Sequence, residues 1–516
     1  MAITGYFIDA DWVYREVLLA FKPLSGSHSG TDLSKVVEQT LTQHAIKDRI
    51  FGLTTDNASN NKTLVDELQQ LLQANIIRVP CLAHVIQLSL NQLLDRLKAV
   101  PQNPTAETIW TEEQETTARA STKKREIAHT LQRIRALAVY IRASPQRRDS
   151  FLALQPDGKR NKLMLIQDVK TRWNSTYLML RRAKKLQRYI IQFCAQYNEQ
   201  DFALDDDQWR QIDYLLCLTK QFYDCTVALS KTREVTSHLV FAVYNLLFEH
   251  IERSQRQLRP KRVTWKQQMF TALQASWAKL HNYYKQTDQM RGYIYPVCTM
   301  LSPEYRFQFF LSDDWSGDIA KELRDEYREA FQDALTPIQQ RLAKTHTPQE
   351  PSTPTSRSIL HDLIRNQKPN PKSKSAADEI TQYLDGTITE SDPLAFWRQN
   401  EQRFPAIAAL AQDYLAMPAS GAGVERLFNI ARDICHYRRG YLKPSTIEEL
   451  MLYLCASKFD LGIQESEEMK QYYSSNEMDI LVEEKDQISD DFEVDEISDT
   501  EDQSDLSVDL IDDHDD

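Results

Sequence analysis

The sequence predicts a mainly helical α+β protein: a small mixed sheet, then a large all-α region, then an acidic tail. Three observations carry that expectation. Residues 2–82 alternate β-rich runs with amphipathic helical ones. Residues 84–345 are dominated by apolar positions at helical spacing. Gly (12) and Pro (19) are scarce in 516 residues, whereas Leu, Gln, Glu and Arg are plentiful, a balance that favours helix.

Taken in order, residues 2–8 and 12–21 read as two strands joined by a polar turn at Asp9-Ala10-Asp11. Thr31 or Asp32 then caps a helix with Leu33, Val36, Val37 and Leu41 on one face. Ile50–Thr55 is a short buried strand, and Asn60–Gln73 is a helix with Leu64, Leu68, Leu71 and Leu72 inward. Ile76–Leu82 returns as a strand, so the order implies a mixed sheet with helices upon it. Helical patterns then cover 85–98, 111–143, 175–198, 206–230, 235–256, 264–287 and 316–344. Residues 346–375 are rich in Pro, Ser, Thr and Lys and read as a linker, after which helical patterning resumes over 376–460. The predicted domains are therefore 1–90, a helical 91–345, the linker, 376–460, and a tail over 461–516.

Charge is unevenly placed. Residues 481–516 hold 17 Asp and Glu against one Lys, a local charge of −16 within a chain of net −12, so residues 1–480 stand at +4. By composition the tail is disordered, and the mildly basic body permits nucleic-acid contact. No apolar run reaches 18 residues, so no membrane span is expected. Seven scattered Cys without a CxxC pair point to reduced thiols in cytosol or nucleus, and no zinc site is evident.

The stretch Phe51-Gly-Leu-Thr-Thr-Asp56-Asn-Ala-Ser ends an apolar run on a carboxylate. From the residues alone, Asp56 either starts a helix as a cap or Asx-turn, or sits at a strand end to hold a metal ion. Cys81 and His84 read as a buried, hydrogen-bonded pair, since two further zinc ligands are missing nearby. Arg172-Trp173 is either a nucleobase stacker or core packing. The basic clusters 122–125, 181–185 and 259–262 are either phosphate contacts or solvated helix faces, and the last is a candidate nuclear import signal. Apolar stripes at Ile407, Leu410 and Leu415, at Leu427, Phe428 and Ile430, and at Ile447, Leu450, Leu454 and Cys455 belong to the core or to a protein interface.

Near the C-terminus the chain reads Asp392-Pro-Leu-Ala-Phe-Trp397, Arg403-Phe-Pro405, Ala411-Gln-Asp-Tyr-Leu415, Met417-Pro-Ala-Ser-Gly-Ala-Gly-Val-Glu425-Arg-Leu-Phe428, then Arg438-Arg-Gly-Tyr-Leu-Lys-Pro444. This run resembles the C-terminal dimerisation segment of the hAT family of DNA transposases. Upstream, Thr55-Asp56-Asn-Ala-Ser-Asn60, Cys81-Leu-Ala-His84 and Thr171-Arg-Trp-Asn-Ser-Thr-Tyr177 resemble the family's other landmarks, in order. The resemblance implies a ribonuclease-H-like sheet interrupted by a long helical insertion. It implies an Asp-Asp-Glu triad on Mg²⁺ or Mn²⁺, with Asp56 as the second aspartate and Glu425 as the glutamate, both metal ligands. Arg172 and Trp173 take the DNA-handling position. Cys81, His84, Trp397 and Arg426 fall on structural motif positions. A homodimer, DNA as partner and a nuclear location are implied with them.

The chain departs from the family pattern at its start. The first aspartate belongs on a strand before the hairpin, whereas Met1–Phe21 match the hairpin itself. Asp9 and Asp11 lie at the wrong end of it to substitute. The BED-type zinc finger has no counterpart either. The expectation is a transposase-derived protein that dimerises and binds DNA but does not catalyse. The alternatives are an active cut-and-paste transposase with its N-terminal part missing, and an interaction protein without a DNA role.

Overall fold

A computed structural model describes residues 1–24, 29–101, 126–156, 162–169, 174–231, 234–287, 293–312, 315, 317–345, 376–428, 443–457, 483 and 496–497. They form two compact units. One comprises Met1–Leu82, Leu229–Val243 and Lys285–Leu427, and the other Ala83–Ala228, Tyr244–Tyr284 and Phe428–Asp516. The helical run predicted over 91–345 is thus shared between them.

The first unit opens with strands β1 (Ala2–Ile8) and β2 (Tyr14–Phe21), paired antiparallel with a bulge at Ile3/Thr4. Asp9 builds the turn. Its carboxylate accepts the Asp11 and Val13 N–H groups at 3.0 and 2.9 Å and the Arg15 Nε–H at 2.8 Å. The Val13 and Arg15 bonds, in that order, hold its pKa down. Helix α1 (Gly30–Gln43) is capped by Ser29, whose hydroxyl accepts the Asp32 N–H, so the cap lies before the expected Thr31 or Asp32. Thr31 and Asp32 are already inside the first turn.

Strand β3 (Gly52–Thr55) pairs parallel with β4 (Ile77–Pro80), and helix α2 (Ser59–Leu72) crosses between them. Leu64, Val65 and Leu68 face inward on α2, whereas Leu71 is 51% exposed, contrary to expectation. Three positions beyond Leu68, Leu71 begins to rotate out as the buried stripe ends. Ile3, Ala20, Val37, Leu41, Leu68 and Ile76 form one core cluster, so the hairpin, both helices and the residue leading into β4 share an apolar interior.

A single mixed sheet is not seen among the described residues. Among the described residues there are two separate two-stranded sheets, β1-β2 and β3-β4. A sheet needs an edge-to-edge partner for each strand, and no described strand lies between the hairpin and β3. Helices supply the rest of this unit. Helix Pro393–Asn400 starts on Asp392, which caps the Ala395 N–H. It buries Trp397 completely, the indole donating to the Leu301 carbonyl at 2.9 Å beside the Tyr383 ring. Helix Pro405–Leu415 follows, with Ile407, Leu410 and Leu415 at 0% exposure. These apolar residues belong to the unit's own core.

The second unit is helical, built around Asp206–Leu229 with Ile212, Leu215, Leu218 and Phe222 fully buried. Helix α3 (Leu82–Arg96), Ile127–Arg142, Pro145–Ala153, Ser175–Lys185, Gln187–Gln196, Val240–Leu258 and Thr264–Tyr284 complete its long elements, with α3 starting in the first unit. The pattern over 175–198 becomes two helices that break at Leu186, and residues 111–125 of the predicted 111–143 helix lie outside the described residues. Its interior carries polar bonds: Arg135 pairs with Asp168 at 2.7 Å and Ser89 meets Ser276 at 2.8 Å. Residues 164–169 are buried without being helical or strand. Side chains satisfy part of their backbone, as burial demands. Arg142 donates to the Leu165 carbonyl and Ser175 to the Val169 carbonyl. No helix among the described residues is long and apolar enough to cross a membrane.

Candidate functional site

The site begins where β3 and β4 end. A parallel pair leaves both C-terminal ends on the same side, and a distant segment is pinned there. Thr54 donates its hydroxyl to the Pro418 carbonyl at 2.8 Å, and the Leu82 N–H donates to the Ala419 carbonyl at 2.8 Å. The Gly421 N–H points at the Cys81 sulfur at 3.1 Å, and the Ala419 N–H at the Thr236 hydroxyl at 3.1 Å. Met417 closes over Gly52, where a Cβ would stand 2.5 Å from its sulfur. These contacts fix the start of the short helix over 422–428, which carries Glu425.

Asp56 directly follows β3 and is exposed. Its Oδ1 accepts the Ala58 N–H at 3.0 Å and the Asn61 side-chain amide at 2.6 Å, an Asx-turn that leads into α2. Glu425 stands close enough to feel Asp56. Crowding by protein pushes its carboxyl up to about 7; Arg426 opposes the shift and the Asp56 charge adds to it. Its side chain still reaches solvent, so the protein walls it on one side only. The two carboxylates, 369 positions apart in the chain, are close enough to sense each other's charge.

Arg426, the next residue, is clasped rather than free. It donates to the Ser230 carbonyl at 2.8 Å and pairs with Glu16 of β2 at 3.2 Å. Tyr6 of β1 donates its hydroxyl to the other oxygen of Glu16 at 3.0 Å. Gly423 lies against both: a Cβ there would meet Glu16 Oε1 at 2.0 Å and Tyr6 Oη at 2.2 Å. Only a residue without a side chain fits. Sequence reasoning missed Glu16, Tyr6 and Gly423. The available signal was the charged pair Arg15-Glu16 at the head of a strand whose last five residues are apolar.

The other expected residues fall as follows. Cys81 is 3% exposed and hydrogen-bonded as described, and His84 is half-buried on α3. Arg172 and Trp173 lie outside the described residues, as does the cluster 122–125. In the cluster 181–185, neither expected reading holds. Arg181 and Arg182 are buried, and Lys184 pairs with Asp213 at 2.7 Å. In the cluster 259–262 Lys261 is 1% exposed, while Arg259 and Arg262 face solvent.

Asp56 and Glu425 do not by themselves suit Mg²⁺ or Mn²⁺. Such ions want several hard oxygen ligands in near-octahedral array. One Asp56 oxygen already accepts from two donors, and crowding by protein disfavours the charged form of Glu425. Among the described residues no group of three or more His, Cys, Asp or Glu is placed to hold a metal.

Comparison with known proteins places this geometry. Residues 1–79 match the ZBED1 RNase-like domain and residues 79–217 the ZBED1 RNase-like helical domain. Residues 376–453 match the hAT family C-terminal dimerisation region. These modules define a transposase-like protein with an RNase-like part, a helical part and a dimerisation region that supports self-association. The chain belongs to the hAT transposase-like family.

Its relatives agree. "Putative transcriptional regulator tpeD" of Talaromyces stipitatus is 45% identical over 479 residues, 91% of this chain and 53% of that protein. "Zinc finger BED domain-containing protein RICESLEEPER 2" of Oryza sativa is 24% identical over 489 residues, 87% of this chain and 62% of the relative. "Putative AC transposase" of Zea mays is 23% identical over 484 residues, 87% and 54% respectively. The chain spans between about half and three-fifths of the length of these relatives.

Proposed function

We propose that this protein is a transposase-derived nuclear regulator that pairs with itself through residues 376–453 and binds DNA without cutting it. The observation that carries the reading is the state of the Asp56–Glu425 pair. Asp56 is engaged in an Asx-turn, and crowding by protein, with the Asp56 charge adding to it, pushes the Glu425 carboxyl up to about 7. A relative named as a transcriptional regulator supports a regulatory role. The +4 charge of residues 1–480 supports attraction to the phosphate backbone.

The test is strand cleavage and strand transfer on duplexes bearing transposon ends, with Mn²⁺ supplied. No product is expected. Product that disappears in Asp56→Ala and Glu425→Ala would overturn the proposal in favour of an active transposase. That second reading draws on the same convergence of carboxylates, completed by a further ligand. Binding to duplex DNA should weaken steeply as salt rises; flat or absent binding would leave a protein-interaction role alone. Light scattering at micromolar concentration should give a dimer, and a clean monomer would remove the pairing claim.

A further inference from the structure

Residues 458–516 contribute only three described positions, and two of them are buried: Glu483 at 0% exposure and Ile497 at 6%. A carboxylate that deep demands a partner. Glu483 has two, both on helix Ser175–Lys185 of the same unit. Arg182, itself 0% exposed, donates its Nε–H to Glu483 Oε2. Arg181, 6% exposed, donates to the Glu483 main-chain carbonyl at 3.0 Å and stands 3.3 Å from Oε1. Arg182 also donates to the Met164 carbonyl at 2.9 Å, which fixes the plane of its guanidinium.

We infer that the Arg181–Arg182 pair is an acceptor for an acidic segment of this same chain, with Glu483 as the residue it holds. The geometry reads a peptide rather than a free anion, because one arginine grips the side chain and both grip the residue through different atoms. A guanidinium fork suits this better than an ammonium, since its donors are planar and spread. The acceptor is built in advance. Arg182 projects from a helix whose first turn is tied to the 164–169 segment through Ser175 to Val169 and Thr176 to Asp168. Glu483 is therefore held by helix Ser175–Lys185 of its own unit. The cluster at 181–185, which invites a reading as a phosphate contact, is already committed in cis.

The experiment uses the full chain. Hydrogen exchange over residues 478–488 should be slowed well below the free-peptide rate in the native protein. Glu483→Gln and Glu483→Ala should each speed it at least tenfold, with exchange in Asp206–Leu229 unchanged to show that the unit stays folded. A fluorescent peptide of residues 476–490 should bind the Glu483→Ala chain at least tenfold more tightly than the native chain, whose own segment occupies the acceptor. Free-peptide exchange in the native protein, unaltered exchange in both variants, or equal peptide binding by the two chains would each overturn the inference.

Discussion

Glu425 and Glu483 meet opposite fates. Glu425 reaches solvent on one side, yet crowding by protein pushes its carboxyl up to about 7, with the Asp56 charge adding to the shift. Glu483 has no exposed surface, yet two arginines surround it, and its place is set by ionic hydrogen bonds. The contrast teaches that crowding by protein acts on one acidic side chain where two cations receive the other.

The largest effect should come from breaking the anchored pair on the buried side. Arg182→Met strips Glu483 of its closest cation while keeping most of the apolar stem. Removing one partner of a buried pair costs about 3–5 kcal/mol. Hydrogen exchange across Ser175–Lys185 should report that loss, whereas an unchanged profile would demote the pair to decoration. Next comes Gly423→Ala, which drives a methyl into Glu16 and Tyr6. Overpacking of this kind costs about 1–3 kcal/mol, read as a lower urea midpoint for the first unit. Smaller again is Glu16→Gln. The Arg426 pair it breaks is partly exposed, at 38% and 20% of the two side chains, so about 0.5–1 kcal/mol is expected.

The smallest effect is also the most specific. The Glu425 pKa in the folded chain lies above its ordinary 4.5, so its protonated form is favoured by the fold. Its contribution to stability is therefore present below about pH 4.5 and is lost as pH rises through about 7. Asp56→Asn should shrink that loss, since one of its causes is removed.

The long helices were legible because their periodic stripes are local. Asp206–Leu229 and Thr264–Tyr284 fall within three residues of the expected bounds, and Asp318–Thr345 within two. Position 29 escaped because Ser29 and Asp32 form a reciprocal cap whose first member lies outside the apolar pattern. The sheet was less legible. Strand existence is written in alternation, but which edges meet depends on partners remote in sequence. At the site, Asp56 and Glu425 could be named because motif resemblance bridges their separation. Glu16, Tyr6 and Gly423 could not, since their contact joins a hairpin to a helix some 400 residues on. Glu483 was invisible for the opposite reason: it is one acid among 17 in a stretch whose composition reads as solvent-exposed.

The most direct test is the titration of the Glu425 carboxyl, followed by carbon NMR of the full chain labelled at Glu and assigned by loss of the signal in Glu425→Gln. The account predicts a midpoint near 7 that falls toward the ordinary carboxylate range in Asp56→Asn. A Glu425 midpoint that is the same with Asp or Asn at position 56 would contradict the convergence of the two carboxylates.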